Sequence, residues 1–178
     1  MKNLFKLNIL AVILLSIPTF ASDGVFVIDI RQAVFSTQSS NDAFKALRED
    51  PDYVSNFEEA QSLQTEIQDM AENLQKNRET LSQVEIAQMQ KDAQDKAKDV
   101  EFLAGKIRQA EEELAQQILS ENGPLIQKII GELIQAKQIK LLLQKNETIA
   151  FSDPAMDLTD DVTSMLDVAA SEANTQSE

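Results

Sequence analysis

Asp50 to Ile86 reads DPDYVSNFEEAQSLQTEIQDMAENLQKNRETLSQVEI, and the spacing of its apolar residues decides the fold. Asp50-Pro51 marks a helix start, because proline is favoured at the first helical position and aspartate accepts from the orphan amides just inside it. From there Tyr53, Ala60, Leu63, Ile67, Met70, Leu74 and Leu81 fall on one seam, with Asn56 and Asn77 as polar members. The steps alternate between three and four, which is a heptad repeat. The seam breaks between Glu79 and Gln83, where Ser82-Gln83-Val84-Glu85 fits a capping box and opens a second helix. Its seam runs Ile86, Met89, Ala93, Lys96, Val100, Leu103, Ile107, Ala110 and Leu114, and Gly123-Pro124 is expected to end it.

Two heptad helices joined by so short a turn must run antiparallel and bury their seams against each other. Pro51 to Thr80 would reach about 45 Å and Gln83 to Asn122 about 60 Å at 1.5 Å per residue. A compact globule of this length has a radius of gyration of only about 15 Å. The hairpin is therefore expected to project from a smaller body.

The flanking segments supply that body. Val25 to Ile30 (VFVIDI) is rich in β-branched residues and reads as a buried strand, followed by a helical turn from Arg31 to Phe35. Ser36 to Asn41 reads as a loop, with Ser40 or Asn41 capping a helix from Asp42 to Glu49. After Pro124, a short apolar helix carries Leu125, Ile126, Ile129, Ile130, Leu133 and Ile134. Ile139 to Leu143 and Thr148 to Phe151 read as two short strands around a turn, and a helix is expected from Asp160 to Ala169. The fold class is α+β, mostly α, with a small β body from 22–49 and 124–169 and a coiled-coil hairpin from 50–123. Residues 170–178 are small and polar and are expected to be a disordered tail.

At the N-terminus, Lys2 and Lys6 precede an apolar run from Leu7 to Ile17, then Pro18 and Thr19-Phe20-Ala21. These are the regions of a cleaved secretory signal, expected to occupy residues 1–21. The run is shorter than the roughly 20 residues a membrane span requires. Removing the two lysines leaves 14 basic residues against 30 acids, a net charge of -16. Such a surface repels phosphate backbones, so nucleic acid is not an expected partner. The chain has no cysteine, so export would bring no disulfide framework, and no histidine, which removes the usual general base and the commonest metal ligand. No catalytic, cofactor or metal site is expected.

Two acid clusters have simpler readings. Asp153, Asp157, Asp160 and Asp161 lack the glycine and closing glutamate of a calcium loop. Thr159 or Asp157 as a helix cap, with Asp160 and Asp161 in the first turn, accounts for them. Glu111, Glu112 and Glu113 flank the seam and read as a solvated face. The apolar residues off the seam, Phe57, Val84, Phe102, Ile118 and Leu119, are more informative. A two-helix hairpin has no second layer to cover them, so they face water, another copy or a partner, or pack locally as Val84 can beside the cap. Phe57, Phe102, Val84 and Ile118 are the candidate partner-binding residues.

The order of elements resembles the Skp (OmpH-like) periplasmic chaperones of Gram-negative bacteria. The likeness runs from VFVIDIRQAVF through the RETLSQVE tip to FSDPAMDLTDDVTSML, and the terminal segments are its specific part. It implies a periplasmic homotrimer with a barrel-like β body and three tentacles around a cavity. It further implies an ATP-independent holdase for unfolded outer-membrane β-barrel proteins. A body of about 74 residues is small enough to gain from oligomerisation. Where members of the family are basic, this chain has glutamine-rich, net acidic long helices, so contact with anionic membrane or lipopolysaccharide is not carried over. Acidic arms are expected to prefer cationic client segments at low salt. The alternative reading is a periplasmic coiled-coil adaptor that docks a folded envelope partner through its tip.

Overall fold

A computed structural model describes residues 24–176. The expected signal segment, 1–21, lies outside them. The chain runs β1 (Val25–Ile28), α1 (Ile30–Phe35), α2 (Gln38–Glu49), α3 (Pro51–Asn77), α4 (Gln83–Ala136), β2 (Leu141–Gln144), a 3-10 turn (Pro154–Met156) and α5 (Thr159–Gln176). It is mostly helical, with one two-stranded sheet.

The hairpin starts and turns as its sequence dictates. Asp50 accepts from the amides of Asp52 and Tyr53, with Pro51 at the first position of α3. At the tip, Ser82 and Glu85 complete the capping box: the Ser82 hydroxyl accepts from the Glu85 amide, and the Ser82 amide donates to the Glu85 carboxylate. The Glu85 carboxyl is held below its ordinary value by these bonds.

Pro124 does not end the second helix. The α4 helix passes through it and continues to Ala136. Proline inside a helix costs about 3 kcal/mol through its missing amide and its ring. Against that, Ile118, Ile126, Ile129 and Leu133 all bury on one face of α4, spanning the proline. Each such side chain contributes about 1.5–3 kcal/mol, so the continuous stripe outweighs the break. Pro124 itself is exposed, which keeps its ring out of the packed face. The helix ends without a glycine: Gln138 takes a φ of 52°, and the Ile139 amide reaches back to the Ile134 carbonyl.

The core gathers Ile28 of β1, Ala33 and Val34 of α1, the α4 stripe, and Val162 and Leu166 of α5. Leu114 packs against it as well, so the core reaches back along α4 ahead of the boundary expected at Pro124. The strands β1 and β2 pair in parallel, Val25 opposite Leu141 through Ile28 opposite Gln144. A left-handed Gly24 (φ 76°) opens β1, and its carbonyl accepts from the amides of Lys140 and Leu141. A side chain there would be strained and would press on Lys140.

Several boundaries differ from the sequence reading, each for a local reason. Asp29 leaves β1 and caps α1 by accepting from the Gln32 amide. The expected loop from Ser36 to Asn41 is mostly helix, because Thr37 rather than Ser40 or Asn41 caps α2. Ser40 is buried instead, donating to the Val34 carbonyl at 2.7 Å. Thr148 to Phe151 forms no strand: Asn146 accepts from the Thr148 amide in a local turn, and among the described residues β2 pairs with β1 alone. The α5 helix runs past Ala169 to Gln176, since no glycine or proline interrupts it.

A polar clasp fixes the end of β2 to the start of α5. Lys145 Nζ lies 2.6 Å from Asp157 Oδ2, while Asp157 Oδ1 accepts from the amide and hydroxyl of Thr159. The Thr159 hydroxyl in turn accepts from the Asp29 amide at 2.9 Å. Burial pushes the Asp157 carboxyl up, but the bonds from Lys145 and Thr159 together outweigh it and hold the group below its ordinary value. The hydrogen bond to Asp157 raises the Lys145 ammonium.

The continuous helix and the clasp can each be tested. Pro124→Ala is expected to raise the unfolding free energy by about 1–3 kcal/mol in urea titrations followed by circular dichroism, and a lowered midpoint would contradict a continuous helix. For the clasp, a depressed carboxyl contributes stability above its unfolded pKa that is lost as pH falls through its folded pKa. Thermal midpoints measured from about pH 7 to about pH 2 should therefore fall less steeply in Asp157→Asn than in the parent, and identical acid slopes would sink the assignment.

Candidate functional site

The heptad arithmetic carries over into burial. Tyr53, Ala60, Leu63, Ile67, Met70 and Leu74 of α3 are half-buried, as are Ile86, Met89, Ala93, Val100, Ile107 and Ala110 of α4, with Leu103 fully buried. Only one helix covers each seam, which is why most of these side chains remain partly open to solvent.

Two polar contacts link the helices across the seam. Near the root, the Tyr53 hydroxyl donates to Glu111 at 2.8 Å, and that bond, with burial and the charge of Glu111, raises the Tyr53 hydroxyl above its ordinary pKa. Farther out, the seam residue Lys96 reaches Glu66 at 2.6 Å, and this hydrogen bond raises its ammonium. Asn77, the polar member nearest the tip, is exposed, and its side chain donates along its own helix to Asn73 rather than across the seam. Apolar packing therefore thins toward the tip.

The residues singled out in the sequence separate into two groups. Phe57 is 53% exposed, Phe102 65% and Val84 79%, so three large apolar side chains stand uncovered on the hairpin. Lys106 places its ammonium 5.2 Å from the Phe102 ring centre, a cation–π contact that still leaves the residue 65% exposed. Ile118 belongs elsewhere. It is buried in the core at 7% exposure, because the unbroken α4 helix carries it under α1 and α5. Leu119, its neighbour, packs against the same cluster.

The body carries an apolar surface that the sequence reading did not single out. Leu141 and Leu143 of β2, Phe151 beyond that strand, and Val168 of α5 are all exposed. One edge of β1 holds β2, and the bridge to Asp157 covers the other. Among the described residues no strand pairs with the outer edge of β2. Alternation in IKLLL is weak, so periodicity could not say which face of that strand is open.

The four aspartates of the C-terminal cluster have structural roles or lie on solvated turns. Asp153 caps the 3-10 turn, Asp157 serves the clasp, and Asp161 pairs with Lys137 at 3.0 Å. Among the described residues, no group of three or more acidic side chains is arranged to hold a metal ion.

The polar seam member gives a direct test of how the hairpin is held. Lys96→Leu is expected to stabilise the hairpin, since an apolar seam residue replaces an ion pair whose lysine and glutamate remain 26% and 47% exposed. Slower proteolysis near the tip is the expected readout, and faster cleavage would mean that the Lys96–Glu66 pair holds the arms together.

Comparison with known proteins adds the family. No curated protein matches the chain. A solved structure of an OmpH-like protein from Caulobacter crescentus CB15 is 27% identical, with 82% of this chain and 85% of that chain covered and a TM-score of 0.45. The model of the family described as outer membrane protein (OmpH-like) matches residues 24–166, from the glycine that opens β1 to the last core leucine of α5. Since that match takes in the body and the whole hairpin between its two halves, the chain belongs to the OmpH-like family.

Proposed function

We propose that this protein is a periplasmic, ATP-independent holdase that keeps unfolded outer-membrane β-barrel proteins from aggregating. It acts as a homotrimer in which three coiled-coil hairpins enclose the client. The observation that carries this reading is the uncovered apolar trio on the hairpin, Phe57, Phe102 and Val84, in a member of the OmpH-like family. Spaced along an arm rather than gathered in a pocket, these side chains suit many weak contacts with an extended chain. Affinity then comes from multiplicity, and the client keeps much of its disorder while bound.

The body supports the trimer. The open edge of β2 and the exposed Leu141, Leu143 and Phe151 form an apolar margin that three copies would cover around a shared axis. The work is non-covalent throughout: the hairpin contributes apolar contact and flexibility, and no bond is made or broken.

The chain without residues 1–21, at micromolar concentration, is expected to delay the light scattering of an unfolded outer-membrane β-barrel protein diluted from urea. Phe57→Ser with Phe102→Ser should weaken client affinity by about tenfold while leaving the helical signal intact, since both rings are largely exposed. Undiminished scattering with the parent protein would sink the holdase reading, and full protection by the double variant would remove these rings from it.

A further inference from the structure

The chain has four arginines, and three of them, Arg31, Arg48 and Arg108, line a single cleft of about 420 Å³ at the root of the hairpin. They come from α1, α2 and α4, so the fold, not a run of basic sequence, brings them together. None of the three forms an ion pair among the described residues, although the chain carries 30 acids. Arg108 and Glu112 stand one helical turn apart and still do not pair. The guanidinium of Arg31 lies 5.3 Å from the centre of the Phe35 ring, which meets Phe44 edge-on at 5.9 Å. The cleft is thus a basic rim beside an aromatic wall.

Like charges drawn together from three elements repel, and packing does not require them there, since all three arginines are exposed. An anion seated among them would relieve that repulsion and take the forked hydrogen bonds a guanidinium offers to a carboxylate. Glu111 and Glu112 also border the cleft, and Glu111 already accepts from Tyr53. They leave a small net positive charge, which suits singly charged carboxylates better than a phosphate dianion. The aromatic wall beside the rim suits an apolar side chain next to those carboxylates.

We propose that this cleft docks an acidic polypeptide segment bearing an aromatic residue, with Arg31, Arg48 and Arg108 taking its carboxylates. The assignment deepens the holdase reading and rests on it for the source of the segment, a bound client. It gives the protein two grips of opposite sign, acidic arms and a basic root.

The test uses the chain without residues 1–21 and a fluorescent synthetic peptide of four glutamates flanking one phenylalanine, with the all-glutamine version as control. Anisotropy should show at least about tenfold tighter binding of the glutamate peptide, and Arg31→Gln, Arg48→Gln and Arg108→Gln together should abolish the preference. Each single substitution should weaken it, and circular dichroism should show unchanged helicity. Equal affinity for the two peptides, or a preference that survives the triple variant, overturns the assignment. Displacement by inorganic phosphate at concentrations below those of the peptide overturns it in favour of a small-anion site. Suppression of barrel aggregation is measured in parallel: if suppression is normal and the peptide preference absent, this inference alone falls. If the preference is present and suppression absent, the cleft stands and the holdase reading falls.

Discussion

Hairpin and body are one object because the apolar stripe of α4 is buried without interruption across Pro124. Ile118 lies on the hairpin side of the proline and Ile126, Ile129 and Leu133 on the other, and all four meet Val34 and Val162 in one core. A helix that passes from arm to body without a joint transmits the body's orientation along its whole length. Had the proline ended the helix, the arm would hang from a loop. The side chains that hold α1 and α5 in place therefore also set the direction in which the hairpin points.

Away from that anchor the constraint changes. A hairpin of two helices has a single seam, and each seam residue is covered from one side only. Burial is accordingly partial along most of its length, Leu103 apart, and Asn77 leaves the seam open near the tip. Stability graded in this way gives a firm root, locked by Tyr53 and Glu111, and a looser distal half. The uncovered Phe57 and Phe102 sit on the firmer part of this arm, Phe57 one turn from Tyr53 and Phe102 beside the buried Leu103, so the scaffold presents both rings at fixed positions.

Much of this is legible in the sequence. Heptad spacing locates both seams, the Ser82–Glu85 box locates the turn, and Asp50-Pro51 locates the start of α3, because each rests on local geometry that the chain carries with it. Sequence reasoning misses where distant partners decide the outcome. Pro124 reads as a stop because the buried stripe that overrides it needs α1 and α5 to exist. Ile118 reads as a contact residue for the same reason. Thr37 is passed over as a cap because Ser40 and Asn41 are equally good caps in isolation, and only the burial of Ser40 against Val34 chooses between them. The arginine cleft leaves no trace in the sequence, since its three members lie far apart in the chain and converge only through the packing of α1 and α2 on α4.

The parallel pairing of β1 with β2 has a consequence for how the molecule assembles. The two strands are separated by the entire hairpin, so closing the sheet directly would mean joining the ends of a very long loop. Loop-closure entropy rises with loop length, and non-local strand pairing is slow for that reason. The hairpin shortens the problem: its turn is local, its seams are adjacent, and zipping them from the tip brings the root ends of α3 and α4 side by side. The arm is then more than a gripping device, since it is also the splint that carries the first strand to the last one it needs.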